Sequence, residues 1–499
     1  MNFKTLMLAG LAMSMLAACS QNDELANGTG EGGDVYMSLS IEMPNTGMSS
    51  RAIDESGEKN EGTTEEQKVT NLLLLVYQEN GTLECNELFS AGQLTPNAPN
   101  ADVNNKATTY TLKEPVSVTT GKKKVVVIVN PSEKFKNGVA LTKMREMETL
   151  EADEVKAIST NNQFMMTNAN PTANQDNNGT DLKEEKNPMN DGDFYLDGSV
   201  ALEVTGSHTK ENPASVMIPV ERVVAKIEDV TTTYEITVKE GNKVESPTAI
   251  GNPGDIVTFN KVALINGNKK FYPIKKIRQQ GDNTNDYVVD PNFVDQTENT
   301  KNDFYANTFN AASFENTNDS IKDLKTDNRA VFYTLENTMI KDEQKNGYTT
   351  GLYYQATYQL KDGKKGDNIY SYGGNLYTFD QLKSAAKSLG INWNESWADE
   401  TTGIDDFAKV GIKKYEKGIC YYTYWIRHID NGENKIMGPM EFAVVRNNWY
   451  KMEINSVKGI GENVPTNPDP ETPDETVDSY LNIQVKVLPW VVRNNQIDF

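Results

Sequence analysis

The chain is long and acidic, with 499 residues, 71 acidic side chains, 49 basic side chains and a formal net charge of −22. A length of this size exceeds one ordinary core, so two or three domains are expected. The charge disfavours a nucleic-acid partner, since phosphate binding requires a basic surface. Two histidines and three cysteines are too few for a histidine-rich metal cluster or a disulfide framework, and we expect no cofactor.

Residues 1–19 are typical of an export signal. Lys4 supplies positive charge, and Leu6 to Leu16 form an apolar run that is too short to cross a bilayer as a mature helix. The following Leu16-Ala17-Ala18-Cys19 resembles a bacterial lipobox, which predicts lipidation of Cys19 and a precursor anchored to the outer membrane. An ordinary signal peptide with an incidental cysteine is the alternative.

The first strand of the mature sequence is predicted at residues 35–43, where apolar and polar side chains alternate. The apolar positions are Val35, Met37, Leu39, Ile41 and Met43. Pro44 ends this strand, and the polar loop that follows contains Arg51, the only arginine of the first 144 residues. Its neighbours Ser50 and Ala52 are small, which suits entry into a protease cleft.

A second alternating strand is predicted at the other end of the chain, in residues 480–499. Leu481, Ile483, Val485 and Val487 are separated by polar residues. The preceding segment, Glu462 to Asp478, is acidic and contains four prolines, so we expect a semi-rigid arm that holds the terminal strand off its own domain. The hypothesis is that one strand is cut away and that another chain's terminal strand replaces it.

The body of the chain reads as many short strands with frequent turns and few helices, which favours two β-sandwich domains. Short helices are expected at residues 140–158 and after Thr378, which starts a capping box with Gln381. Long loops at 270–330 and 361–415 should decorate the second domain. The predicted segments are a signal (1–19), a propeptide with the first strand (20–51), an N-terminal domain (52–220), a C-terminal domain (221–461), an arm (462–479) and a donor strand (480–499).

Three candidate sites are weak. The spacing Asn174-x-Asp176-x-Asn178-Gly179 with Glu185 matches part of a calcium loop, and a plain polar loop and a weak cation site both stay open. Cys420 and His428 are separated by eight residues, about 26 Å along a strand, which is too far for proton transfer. The aromatic segment 419–429 suits core packing or a sugar platform. We expect no enzyme.

Three motifs carry a resemblance to a known family: Arg446-Asn447-Asn448-x-Tyr450, Glu221-Arg222-x-x-Ala225 and Phe164-x-Met166-Thr167. Together with the lipobox, the Arg51 loop, the proline-rich arm and the tail Val487-Leu488-Pro489-Trp490, they resemble the fimbrillins, the subunits of type V pili in Bacteroidales-type bacteria. The arrangement is most similar to that of shaft subunits of minor fimbriae.

The resemblance implies two transthyretin-like β-sandwich domains, lipoprotein export, cleavage after an arginine by a trypsin-like cysteine protease, and polymerisation by strand exchange. By position, Arg51 and Ala52 flank the cut and residues 35–43 form the displaced strand. The implied donor residues are Leu481, Ile483, Val485, Val487 and Trp490.

The implied partners are identical subunits joined head to tail, tip and anchor proteins, the maturation protease and the outer membrane. The implied location is a fimbria on the cell surface that supports adhesion and biofilm formation. A tip or anchor component and a monomeric glycan-binding surface lipoprotein are the alternatives.

Overall fold

The computed structural model describes residues 34–44, 60–97, 108–136, 148–150, 152–159, 163–169, 185–186, 194–195, 199–239, 251–278, 287–289, 321–324, 329–339, 343–433, 436–438, 440–467, 469–476 and 481–491. These residues are mostly in strands with a few short helices, which confirms the predicted β-sandwich class. Within this part of the chain, no helix is long and apolar enough to cross a membrane.

The first half of the chain contributes fourteen described strands. They are β1 (Val35–Glu42), β2 (Asn60–Glu61), β3 (Asn71–Gln78), β4 (Leu83–Ser90), β5 (Leu94–Asn97), β6 (Thr109–Leu112), β7 (Val116–Val118), β8 (Gly121–Val129), β9 (Glu148–Thr149), β10 (Met166–Asn168), β11 (Glu185–Lys186), β12 (Phe194–Tyr195), β13 (Val200–Val204) and β14 (Ala214–Arg222).

The second half contributes the remaining described strands. They are β15 (Val224–Asp229), β16 (Glu235–Thr237), β17 (Ile256–Ile265), β18 (Lys270–Phe271), β19 (Lys276–Arg278), β20 (Tyr287–Val289), β21 (Ile321–Asp323), β22 (Val331–Leu335), β23 (Gly351–Gln359), β24 (Ile369–Tyr372), β25 (Asn375–Tyr377), β26 (Lys413–Tyr415), β27 (Ile419–Trp425), β28 (Asn448–Val457) and β29 (Leu481–Val491). The described α-helices are α1 (Thr64–Gln67), α2 (Ala152–Ala157), α3 (Phe379–Ala385) and α4 (Ile404–Ala408).

Ten strands of the first half form one hydrogen-bonded sheet system in the order β4-β3-β8-β10-β14-β1-β6-β5, with β13 paired to β8 and β7 paired to β1. Its centre is formed by β3 and β8, whose apolar runs Leu72–Tyr77 and Val125–Val129 are buried throughout. Continuous apolar runs of this kind are typical of strands that are covered on both faces. They form the first hydrophobic core.

The second half builds two larger sheets around a second core. One sheet has the order β2-β29-β28-β15-β22, and the other has the order β16-β17-β23-β27 with β21 paired to β17. Side chains from both sheets share this core, among them Ile227 and Met452 from the first and Phe259, Tyr354 and Tyr422 from the second. The chain passes between the two halves at Val223, the one residue between β14 and β15.

The structure corrects two predictions about local structure. The predicted helix at 140–158 is wrong at Glu148–Thr149, which form β9 and pair with β18 of the second half, whereas α2 covers Ala152–Ala157 of that range. Residues 140–147 lie outside the described residues. The predicted loop at 361–415 contains the small sheet β25-β24-β26 and two helices around a separate aromatic core. The predicted capping box is confirmed, since the N–H of Thr378 donates to Gln381 and the N–H of Gln381 donates to Thr378.

Candidate functional site

The first strand lies in the interior of its sheet. β1 pairs in parallel with β14, from Met37 opposite Ala214 to Glu42 opposite Pro219. On its other side it pairs antiparallel with β6 and β7. Because both edges of β1 are hydrogen-bonded, it cannot leave the sheet as an edge strand can.

The apolar face of β1 is part of the first core. The relative exposures of its five alternating residues are 5% for Val35, 0% for Met37, 1% for Leu39, 0% for Ile41 and 0% for Met43. The intervening side chains are half-buried. Removing this strand would therefore open a groove between β14 and the β6–β7 edge, with unpaired backbone groups on both sides and an apolar floor.

The terminal strand is confirmed as a strand, but it pairs within its own chain. β29 runs antiparallel to β28, from Leu481 opposite Val457 to Pro489 opposite Asn448. Ile483 is buried, Val485 is half-buried against the second core, and Gln484 is exposed. The expectation that this strand stays off its own domain is wrong. Without β29, the backbone N–H and C=O groups along one edge of β28 would lack partners, and in a single chain the tail supplies them.

The tail nevertheless lies at the border of its sheet. Apart from β28, its paired neighbour among the described residues is the two-residue strand β2, which contacts Trp490 and Val491. Release of β29 would therefore leave the interior of the sheet intact, whereas release of β1 would split its sheet.

The proline-rich arm is docked, which corrects the expectation of a semi-rigid arm that holds the terminal strand off its own domain. Glu462 and Tyr421 exchange two backbone hydrogen bonds of 2.9 Å. Further along, the N–H of Thr466 donates to the hydroxyl of Tyr353 at 3.1 Å, and the N–H of Asn346 donates to the carbonyl of Thr472 at 2.9 Å. Prolines remove donors from the arm but leave its carbonyls free to accept, so an irregular segment can still be held by polar contacts.

The three family-like motifs meet at the junction of the two halves. The fully buried Arg222 donates from Nε and Nη2 to the carbonyl of Glu66 at 3.2 and 3.1 Å, and from Nη1 to the side-chain oxygen of Asn447 at 3.2 Å. Met166 pairs with Arg222 across β10 and β14, and Thr167 donates to the carbonyl of Pro273 at 2.7 Å. Hydrogen bonds at this junction therefore join residues that are far apart in sequence.

Paired charges complete the junction. Arg446 binds both carboxylate oxygens of Glu336, at 2.8 and 2.5 Å, and Lys275 binds Glu221 at 2.8 Å. Lys226 binds Glu66 at 2.8 Å. Burial raises the pKa of Glu221 and lowers the pKa of Arg222 to about 9. Each of these charged side chains has a hydrogen-bond partner, so the arrangement fastens the two halves of the chain together.

Sequence reasoning missed the partners of these motifs. Glu66, Lys226, Lys275 and Glu336 look like ordinary surface charges in the sequence. One signal was available, since Thr63 and Glu66 have the spacing of a capping box. The structure contains that box, in which the N–H of Thr63 donates to Glu66 at 2.7 Å, and the same carboxylate then faces the junction.

The weaker candidates lie apart from one another. The free thiol of Cys420 is buried, its pKa is raised by burial to about 12, and it contacts the hydroxyl of Tyr422 at 3.6 Å. His428 bonds through Nδ1 to the hydroxyl of Tyr450 at 2.8 Å. Tyr421 is buried and stacks on Tyr353, so the aromatic strand is core packing.

Some predicted sites cannot be placed. Cys19, Arg51, Ala52 and residues 174–184 of the candidate cation loop lie outside the described residues. Of Leu481, Val487 and Trp490 the structure describes the backbone in β29. In the described ranges, no group of three or more histidine, cysteine, aspartate or glutamate side chains is arranged to hold a metal ion.

Comparison with protein families matches both ends of the chain. Residues 37–211 match the family described as major fimbrial subunit protein (FimA), and residues 413–496 match the family described as major fimbrial subunit protein type IV, fimbrillin, C-terminal. These matches place the chain in the class of fimbrial subunit proteins. The chain belongs to the fimbrillin family, as the three sequence motifs predict.

Solved structures with low sequence identity align over most of the chain. A fimbrillin (FimA) from Porphyromonas gingivalis W83 is 17% identical, with 92% of this chain and 99% of that chain covered and a TM-score of 0.39. The tip fimbrial protein Mfa3 from Porphyromonas gingivalis is 13% identical, with coverages of 92% and 100% and a TM-score of 0.37. A cell adhesion protein from Parabacteroides distasonis ATCC 8503 is 12% identical, with coverages of 93% and 99% and a TM-score of 0.43. No curated protein matches the sequence.

Proposed function

We propose that this fimbrial subunit forms the shaft of the fimbria, is exported as a lipoprotein through Cys19, is cleaved between Arg51 and Ala52, and polymerises by donor-strand exchange. The observation that carries the proposal is the position of β1 inside its sheet, with five buried apolar residues. Cys19 and β1 both precede Arg51. One cut would therefore separate the lipid anchor and the strand from the rest of the chain.

The position of β29 supports its role as the donor. Apart from its two-residue pairing with β2, β29 lies at the border of its sheet. Like β1, it has alternating apolar residues, which is the pattern that the vacated groove requires. A contact in which one subunit's tail enters the next subunit's groove is heterologous, and it extends as a filament instead of closing as a dimer. The further partners would be accessory tip and anchor proteins, a trypsin-like maturation protease and, for the precursor, the outer membrane. The assembled fimbria would serve adhesion and biofilm formation.

Cleavage at Arg51 should control assembly. In the Arg51→Ala variant we expect an uncleaved, lipidated monomer, because β1 still fills the groove. The measurement is a gel of unboiled cell-surface protein, in which the ladder of high-mass bands should disappear. Arg329→Ala is the matched control, since it also removes an arginine, the Arg329 side chain is exposed, and its loss should leave the ladder unchanged. Normal pili from the Arg51→Ala variant would refute the proposal.

Mature fibre protein should begin at Ala52. The cut that removes β1 also removes Cys19, so intact-mass and N-terminal peptide analysis of purified fibres should show no lipid. A lipidated Cys19 in the bulk of the fibre protein would contradict transient lipidation, and it is the result expected of an anchor component.

The self-paired tail favours a second candidate function, a monomeric surface protein that binds glycans. In that protein, β29 would remain on β28 after cleavage. Treatment with a trypsin-like protease distinguishes the two candidates on the same gel, since the shaft subunit should then form a ladder and the monomeric protein should remain a single band.

A further inference from the structure

The end of the arm is held by buried polar contacts. Asp474, the first residue of the one-turn 3-10 helix Asp474–Thr476, is 3% exposed. Its N–H donates to the carbonyl of Gln344 at 3.1 Å, and its Oδ2 accepts a short hydrogen bond from the hydroxyl of Thr349. A carboxyl group has therefore been taken out of water to fasten the arm to the second domain.

This carboxyl group lacks a paired cation among the described residues. Its Oδ1 is buried without a hydrogen-bond partner. The nearby Arg427 is occupied by other carboxylates: it binds Glu475 at 2.7 Å, Glu441 at 2.5 Å and Asp430 at 3.7 Å.

Within the described part of the neighbouring loop, residues 343–349, no other charged group supplies a cation to Asp474. Lys345 binds Glu471 of the arm at 3.0 Å, and the other titratable groups described in that loop, Glu343 and Tyr348, are acids. A buried carboxylate in such surroundings is costly, so the neutral acid is the favoured form.

The titration of Asp474 follows from this geometry. Burial raises its pKa to about 8, against the smaller opposing effects of the Thr349 hydrogen bond and the Arg427 charge. An undocked arm would expose the same side chain to water, where its pKa returns to about 4. The docked arm therefore holds a proton at neutral pH that the undocked arm releases.

We propose that the docked arm, residues 462–476, is a pH-sensitive latch that stays on the second domain while Asp474 is neutral and comes free when Asp474 ionises. The inference rests on the proposed role of β29 as the donor strand, because the latch would set how far that strand can reach. When Glu475 is held on the second domain, the six residues after Glu475, up to Leu481, can span at most about 20 Å. With the arm free from Gly461 onward, twenty residues span up to about 70 Å.

The direction of the pH effect is fixed by linkage. The docked state has the higher pKa, so docking strengthens as pH falls from above 8 towards 4 and weakens as pH rises through 8. For one group with these two pKa values, the docking equilibrium constant should be about tenfold smaller at pH 9 than at pH 7. Mild alkalinity should therefore lengthen the donor tether.

The test is hydrogen exchange of the purified chain at pH 7 and pH 9, with amide rates corrected for their intrinsic pH dependence. We expect peptides from 462–476 to lose about tenfold of their protection at pH 9 while β28 keeps its own. Asp474→Asn preserves the shape and cannot ionise, so its arm should stay equally protected at both values. Asp469→Asn is the control, because Asp469 is on the same arm and fully exposed, and it should behave as the unchanged chain does.

A second variant tests the latch independently in case Asp474→Asn does not fold. Thr349→Val removes the hydrogen bond that favours the ionised form, so release of its arm should move to a higher pH than in the unchanged chain. Equal protection of the unchanged arm at pH 7 and pH 9 would overturn the latch, as would a pH-dependent loss that persists in Asp474→Asn.

The outcome is separable from that of the proposed function. If the arm comes free at pH 9 but a chain without β29 still polymerises, the latch stands and the donor role fails. If the arm never comes free while polymers require β29, the donor role stands and the latch fails.

Discussion

A chain that lacks residues 480–499 should fold, be cut after Arg51 and remain a monomer. β28 keeps its parallel partner β15 when β29 is absent, so the second sandwich should survive the deletion. The groove left by β1, however, would have no β29 from another subunit to fill it. Four buried aliphatic side chains contribute on the order of 6–12 kcal/mol as an upper estimate, and main-chain pairing adds to that. The measurement is the unboiled gel after protease treatment, with circular dichroism as the check on folding.

A point substitution makes the same test with less disturbance. Val485→Asp places a carboxylate on the apolar face of β29 and should also prevent polymerisation. Gln484→Asp adds the same charge on the exposed face of the same strand, so it should polymerise normally. Polymers of the deletion variant at the unchanged level would show that another surface joins the subunits.

Removal of Arg446 should cause the largest loss of stability. Arg446→Ala leaves Glu336 buried without its bidentate partner and removes the donor to the carbonyl of Tyr272. Breaking a buried ion pair from one side costs about 3–5 kcal/mol, so the free energy of unfolding should fall by that amount in urea titration. Lys383→Ala removes the exposed pair with Glu395 and should change stability by less than about 1 kcal/mol. An Arg446→Ala chain as stable as this control would contradict a structural role for the junction.

The alternating patterns of β1 and β29 could be predicted from sequence because a period of two depends on neighbouring residues alone. The sheet edge that β29 occupies could not be predicted in that way. Backbone hydrogen bonds to β28 carry no side-chain signature, and Leu481 and Val457 lie on opposite sides of the arm in sequence. The pattern shows which face of the strand is apolar but leaves its neighbour undetermined.

The docking of the arm and the contacts at the junction could not be predicted from sequence for a related reason. The prolines of 462–478 correctly exclude regular structure, but the groups that hold this segment, such as Tyr421, Tyr353 and Thr349, come from distant parts of the chain. Likewise, the motif containing Arg446 was visible, whereas its partner Glu336 lies 110 residues away. Contacts of long sequence separation are fixed by the tertiary fold and have no local pattern.

The one-residue step at Val223 has a mechanical consequence. In a fibre built as proposed, tension would enter a subunit beside β14 and pass directly into β15. It would leave through the far end of β28, which runs parallel to β15 with Lys226 opposite Trp449 and Asp229 opposite Met452. The two strands would then be pulled in opposite directions along their length, so their hydrogen bonds would resist in shear and share the force. A subunit of this design should yield at its contacts with neighbouring subunits before its own two domains are drawn apart.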